Sequence, residues 1–186
     1  MLGLRPVTRD LRNISFDCGN PSIQNQIKDS YLASLLREGY SYEIIFQKGS
    51  IQEPVVLGYC MIKVVTLQEA QIPEDEVDCY SEVYAGRPRE FSAVEITYLA
   101  VDQAFQGRHI GSFALKLLMG QIITTSQKIP IRYIVVNALK EKVPFYLKLG
   151  FQTLGHAAEE SATQFLYFDC LVDRQALDEY LELWLN

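Results

Sequence analysis

Residues 91–127 constrain this chain more than any other stretch. Phe91–Val101 reads as a buried strand ending Glu-Ile-Thr-Tyr-Leu-Ala-Val, a linker Asp102–Ile110 follows, and a helix is predicted from Gly111 to about Gln127. A strand that passes through a glycine-bearing turn into a helix gathers unpaired backbone N–H groups and the positive end of the helix dipole in one place. That arrangement suits an anion such as a phosphate. The turn is Gln106-Gly107-Arg108-His109-Ile110-Gly111-Ser112. It has neither the G-x-x-x-x-G-K-[ST] spacing of a nucleoside triphosphate loop nor G-x-G-x-x-G, so those two classes are excluded.

The remaining elements fall around this unit. Asn20 caps a first helix, Pro21 suits its first position, and Gly39 stands where the chain must turn out. Between them Ile23, Ile27, Tyr31 and Leu35 recur at four-residue steps as one apolar stripe. Tyr40–Lys48 and Val55–Leu67 read as a hairpin across Gly49-Ser50. Pro130 precedes a strand at Ile131–Val136. Pro144 opens a short helix ending at Gly150. Phe151–Leu154 and Gln164–Cys170 are two last strands. Asp173 caps a terminal helix with Leu177, Tyr180, Leu181 and Trp184 on one face. The order β α β β β α β α β β α predicts an α/β chain with a mixed sheet.

At 186 residues the chain is expected to form a single domain, 1–186, and 48% apolar residues with eleven Tyr and nine Phe supply a core. No apolar run reaches the ~18–20 residues of a membrane span, and the start lacks a signal-peptide pattern, so a soluble cytoplasmic protein with no membrane partner is expected. Cys18, Cys60, Cys79 and Cys170 are scattered without C-x-x-C pairing or His at ligand spacing. They read as reduced core thiols, and no metal is expected. The formal net charge of −6 argues against a broad phosphate-gripping surface while leaving room for a local basic groove. Residues 68–90 break pattern. They hold Glu69, Glu74, Asp75, Glu76, Asp78 and Glu82, which read either as a solvated acidic loop or as a wall attracting a cationic acceptor.

Three motifs give the turn a chemical context. Gln106-Gly107-Arg108-His109-Ile110-Gly111 resembles the Gln/Arg-x-x-Gly-x-Gly/Ala signature of the GNAT superfamily of acetyl-CoA-dependent N-acetyltransferases. Leu99-Ala100-Val101 resembles that family's central strand, and Phe145-Tyr146-Leu147-Lys148-Leu149-Gly150-Phe151 is similar to its Tyr-x-Lys-x-Gly-Phe element. The three occur in family order and at family spacing. The resemblance implies a central mixed, mostly antiparallel sheet flanked by helices on both faces, here with an additional C-terminal helix. It also implies acetyl-CoA as co-substrate. The backbone of Leu99, Ala100 and Val101 then pairs with the pantetheine arm, and Gln106, Gly107, Arg108, His109, Ile110, Gly111 and Ser112 hold the pyrophosphate. His109 stands where the signature has its first Gly. His tolerates a positive φ better than most residues. It is either a tolerated substitution or an imidazolium that pairs pyrophosphate below neutral pH.

The resemblance also implies roles. Glu95 lies four residues before Leu99 and, by strand alternation, on the same face. It matches the general-base glutamate of the histone-acetylating branch and can take an ammonium proton directly or through water; the plain alternative is a strand Glu with a structural partner. Tyr146 is the candidate general acid to the CoA thiolate, with Phe145 and Phe151 as an apolar wall. The N–H of Leu99 is the candidate oxyanion donor. Asn137 either bridges diverging strands, contacts pantetheine or simply ends its strand. Ser112 and Thr97 sit in no nucleophile motif, so direct transfer in a ternary complex is expected rather than an acyl-enzyme.

For the acceptor, the acidic balance puts a small-molecule or protein amine first. Phe16-Asp17-Cys18-Gly19-Asn20 and Asn137–Tyr146 are similar to elements of GNAT toxins that acetylate aminoacyl-tRNA. The alternative is therefore such a toxin, with tRNA and an antitoxin as partners. A non-catalytic acyl-CoA-binding regulatory module is a third reading, and the Leu177/Trp184 face leaves a homodimer open.

Overall fold

The computed structural model describes residues 1–49, 53–68, 71–72, 89–154 and 161–171. Its strands are β1 (Leu2–Pro6), β2 (Tyr40–Phe46), β3 (Val55–Gln68), β4 (Glu90–Val101), β5 (Tyr133–Leu139), β6 (Gln152–Thr153) and β7 (Thr163–Asp169). Its α-helices are α1 (Pro21–Leu35), α2 (Ile110–Ser126) and α3 (Val143–Leu147). Among the described residues the strands form one seven-stranded sheet in the order β1-β2-β3-β4-β5-β7-β6. Every neighbouring pair is antiparallel except β4 and β5, which the α2 crossover makes parallel. The predicted order of elements holds through β7. The helix expected from Asp173, the acidic residues between Glu69 and Glu82, and Cys79 lie outside the described residues. Cys60 and Cys170 are buried and Cys18 is half-buried, all three as free thiols.

The helices cover opposite faces. On one, Leu115, Leu118, Met119 and Ile122 of α2 pack on Val94, Ile96, Ile134 and Val136. On the other, Ile27 with Ile23 and Tyr31 of α1 packs on Tyr59, Met61, Tyr98 and Ala100. α1 starts as its sequence dictates: Asn20 Oδ1 accepts from the N–H of Ile23 at 3.1 Å, with Pro21 next in line. It ends differently. Leu35 is 62% exposed and leaves the apolar stripe. The reversal is made by Arg37 at φ 58, not by Gly39. Gly39 is needed for close approach instead, since a Cβ there would lie 2.9 Å from Ile62 O. The buried Glu43 is balanced by Arg5, whose Nε donates at 2.7 Å, and by Arg9 at 3.2 Å.

One irregularity in β4 sets which of its side chains reach each face of the sheet. Met61 pairs with Tyr98 and Ile62 with Ile96, so Thr97 has no counterpart on β3. Such a bulge shifts the side-chain alternation by one. Before it, Val94 and Ile96 face α2; after it, Leu99 does, while Tyr98 and Ala100 face α1.

Candidate active site

β4 and β5 pair only from Ala93/Tyr133 to Ile96/Val136. β4 then continues to Val101 beside β3, and β5 to Leu139 beside β7, so the sheet forks. The N–H of Asp102 donates to Leu57 O on the β3 side at 2.9 Å. Carrying the alternation of backbone direction back along the strand, Ala100 and Tyr98 also point to β3. Leu99 and Val101 therefore point their N–H and C=O groups into the fork. Val101 O is met there by Gln106 Nε2 at 2.9 Å.

Immediately beyond lies the turn. Gly107 (φ 74) and His109 (φ 59) are both left-handed, and the first helical bond of α2 runs from Phe113 N–H to His109 O at 3.1 Å. The N–H groups of Ile110, Gly111 and Ser112 are thus the orphan donors of the first turn, at the positive end of a 17-residue helix. A Cβ on Gly107 would meet nothing within 4 Å, so the turn is open to solvent on that side. The Ile110 side chain is buried, whereas Arg108 and His109 are exposed, with Arg108 Cζ 5.9 Å from the Phe105 ring centroid.

His109 keeps the loop conformation at a cost that glycine would not carry. His109→Gly is expected to raise stability by about 0.5–1 kcal/mol, since a left-handed residue with a Cβ is strained. Denaturant unfolding of the two proteins checks this, and unchanged or lowered stability contradicts it.

Gln106 does more than the motif suggests. Its amide also donates to Cys18 O at 3.2 Å, so the turn is tied to the segment that opens α1. Asp102 Oδ2 accepts from Asp17 N–H at 3.1 Å, and Gln103 N–H donates to Asp17 O at 2.8 Å. Gly19 (φ 79) lies so close that a Cβ would sit 2.6 Å from Gln103 Nε2. The Phe16–Asn20 element therefore buttresses the anion turn. Nothing in its sequence pattern pointed to that contact.

The third motif converges on the same place. At Gly111 a Cβ would stand 3.8 Å from both Val101 Cγ2 and Phe145 Cζ, which brings together the end of β4, the start of α2, and α3. Tyr146 is buried on the α2 face, edge-on to Phe145 (5.0 Å) and Phe151 (5.5 Å). Burial pushes its phenol up to about 12. Gly150 at φ 90 turns the chain after α3, and Phe151 N–H closes back to Tyr146 O at 3.3 Å.

Glu95 corrects the alternation argument. The Thr97 bulge lies between Glu95 and Leu99, so their side chains occupy opposite faces: Glu95 with Ala93 and Tyr98, Leu99 with α2. A backbone role for Leu99 survives this, because its N–H lies in the plane of the sheet. Glu95 is not alone either. Lys63, directly across on β3, places Nζ 3.3 Å from Glu95 Oε2. Asn137 follows Val135, the register partner of Glu95, by two residues and so shares its face, exposed and opposite Phe165 of β7. Among the described residues no group of three or more His, Cys, Asp or Glu is placed to hold a metal, and no helix is long and apolar enough to cross a membrane.

Known proteins resemble this chain in sequence and fold. Residues 82–171 match the acetyltransferase (GNAT) domain family. A tRNA-acetylating toxin of Mycobacterium tuberculosis (strain ATCC 25618 / H37Rv) is 25% identical over 139 residues, 74% of this chain and 76% of that protein. Among solved structures, a variant of KacT superposes with a TM-score of 0.71 at 19% identity over 98% of each chain. AtaT complexed with acetyl-methionyl-tRNAfMet gives 0.69 at 22% identity over 100% of each. AtaTR bound with acetyl-CoA gives 0.69 at 21% identity over 100% of this chain and 98% of that one. The fork of the sheet and the anion turn beside it both lie within residues 82–171, the stretch that matches the acetyltransferase (GNAT) domain family, and the chain is an acyltransferase that uses acetyl-CoA.

Proposed function

We propose that the acceptor is the α-amine of an aminoacyl-tRNA and that the chain acts as a toxin held in check by an antitoxin. The observation that carries this reading is the similarity to the tRNA-acetylating toxin over three quarters of both chains. AtaT, of the same fold, has been solved with acetyl-methionyl-tRNAfMet and with the C-terminus of its antitoxin AtaR. This reverses the order of acceptors that net charge suggested. Charge near the site matters more to an approaching RNA than the chain total, and the exposed Lys140, Lys142 and Lys148 stand on either side of Tyr146 against a single Glu141.

In this reading the turn and the first N–H groups of α2 receive the pyrophosphate, and the backbone groups that Leu99 and Val101 turn into the fork receive the pantetheine amides; Ala100, expected to join them, points its backbone to β3 instead. Acetyl-CoA supplies a thioester carbonyl as electrophile. The Leu99 N–H stabilises negative charge on that carbonyl oxygen as the amine adds. Tyr146, held protonated by its apolar wall, gives its proton to the departing sulfur. Glu95 takes the surplus proton from nitrogen on the other face, and Asn137 lines the acceptor side beside it. Proton exchange through water then restores Tyr146 and Glu95. Expression in a bacterial host without an antitoxin is expected to arrest growth, and Tyr146→Phe to restore it. Unimpeded growth at strong induction contradicts the toxin reading.

A further inference from the structure

The face of the sheet away from α2 carries a row of side chains that runs across four strands at the fork. Lys63 on β3 faces Glu95 on β4, Asn137 follows on β5, and Phe165 stands opposite Asn137 on β7. The Glu95 carboxylate keeps 21% exposure and the Lys63 side chain 38%, while Phe165 is 48% exposed. The row is therefore reachable from solvent, beside the last β4/β5 pair and next to the fork edge of Leu99. Among the described residues no other charged side chain pairs with Lys63 or Glu95, and the neighbours on their face, Val65, Ala93 and Val135, are apolar.

The pairing matters because the nucleophile must be a neutral amine. An acceptor of high basicity arrives as an ammonium and has to lose a proton before it can attack. A bare carboxylate at this place attracts such a cation and takes that proton. Here Lys63 already offsets the charge of Glu95 at 3.3 Å, so an arriving ammonium meets a net-neutral pair with a like charge beside it. An α-amine, with a pKa of about 7.7–8.0, is substantially neutral near pH 7.5, whereas a lysine ε-amine, at about 10.4, is almost wholly protonated.

We propose that the Lys63–Glu95 pair is a specificity determinant that admits weakly basic α-amines, such as that of an aminoacyl ester, and discriminates against the ε-amine of lysine. This rests on the acetyltransferase reading of the fork, and on the aminoacyl-tRNA reading only through the class of amine. The step balances simply. The C–N bond forms as the thioester C–S bond breaks, sulfur leaves as thiolate and takes the Tyr146 proton, and the proton lost by nitrogen goes to Glu95. Lys63 is a positioning residue that holds the Glu95 carboxylate and sets a like charge beside an arriving ammonium.

The test compares kcat/KM for methionine methyl ester, an α-amine, with that for Nα-acetyl-lysine methylamide, an ε-amine, at saturating acetyl-CoA. Lys63→Met is expected to raise kcat/KM for the ε-amine about tenfold and narrow the ratio accordingly. Lys63→Arg, which keeps the charge, is expected to retain the wild-type ratio, and adding Glu95→Gln to Lys63→Met to abolish the gain. Acetyl-CoA binding by each variant reports that it is folded. An unchanged ratio in a folded Lys63→Met protein overturns the proposal, as does a wild-type preference for the ε-amine. Turnover of the ester without turnover of aminoacyl-tRNA leaves the pair's role standing and removes the tRNA reading.

Discussion

Tyr146→Phe is expected to lower kcat by about a hundredfold to ten-thousandfold, the range over which a positioned general acid contributes, while acetyl-CoA affinity stays within about twofold. The change removes one oxygen and leaves the ring. The edge contacts with Phe145 and Phe151 at 5.0 and 5.5 Å persist, and so does the packing against the α2 cluster. The affinity should therefore hold while the thiolate loses its proton donor. The same burial that pushes the phenol up to about 12 keeps it protonated throughout the physiological range. Ionisation of Tyr146 should therefore produce no alkaline fall in kcat below about pH 10. A loss of affinity matching the loss of rate contradicts the assignment and makes Tyr146 a packing or binding residue.

Gly58→Ala is expected to cost about 3 kcal/mol, at the upper end for overpacking a closed site. Gly58 pairs with Val101 where β3 meets the end of β4. A Cβ there would lie 2.2 Å from Ala100 O, with Ile44 Cδ1 and Val101 Cα each at 3.1 Å. Two of these three are backbone atoms and cannot rotate away, so β4 must move at the segment that forms the fork edge. Acetyl-CoA affinity is expected to fall with stability, read by denaturant unfolding and by titration calorimetry on the same preparation. An unchanged unfolding midpoint contradicts the close approach of β3 and β4.

These two positions show what sequence reasoning reaches. The strand–turn–helix unit, the cap at Asn20 and the aromatic surroundings of Tyr146 are local patterns, and each appears where its residues place it. The Thr97 bulge is different. It carries neither Gly nor Pro and disturbs no hydrophobic count, since residues on both sides of β4 are buried. Counting by twos from Glu95 to Leu99 therefore places them on one face, whereas the extra residue puts them on opposite faces. Lys63 is equally hidden, because its partnership with Glu95 depends on the β3/β4 register, which joins residues 32 apart in the chain and shifts by one at the bulge. Gln106 was legible as part of a phosphate motif, but its amide braces Val101 and Cys18, contacts made across 5 and 88 residues. Gly39 reads as a helix stop because glycine often is one. The turn went to Arg37, and the glycine served the approach of Met61 and Ile62.

The acceptor is the centre of the account, and one transfer reaction addresses it directly. Charged bulk tRNA is incubated with acetyl-labelled acetyl-CoA and the protein, then digested to nucleosides and separated. Label on an N-acetyl-aminoacyl-adenosine, absent with Tyr146→Phe, is the predicted result. Label confined to protein or small-molecule amines, with aminoacyl-adenosine untouched, would contradict it.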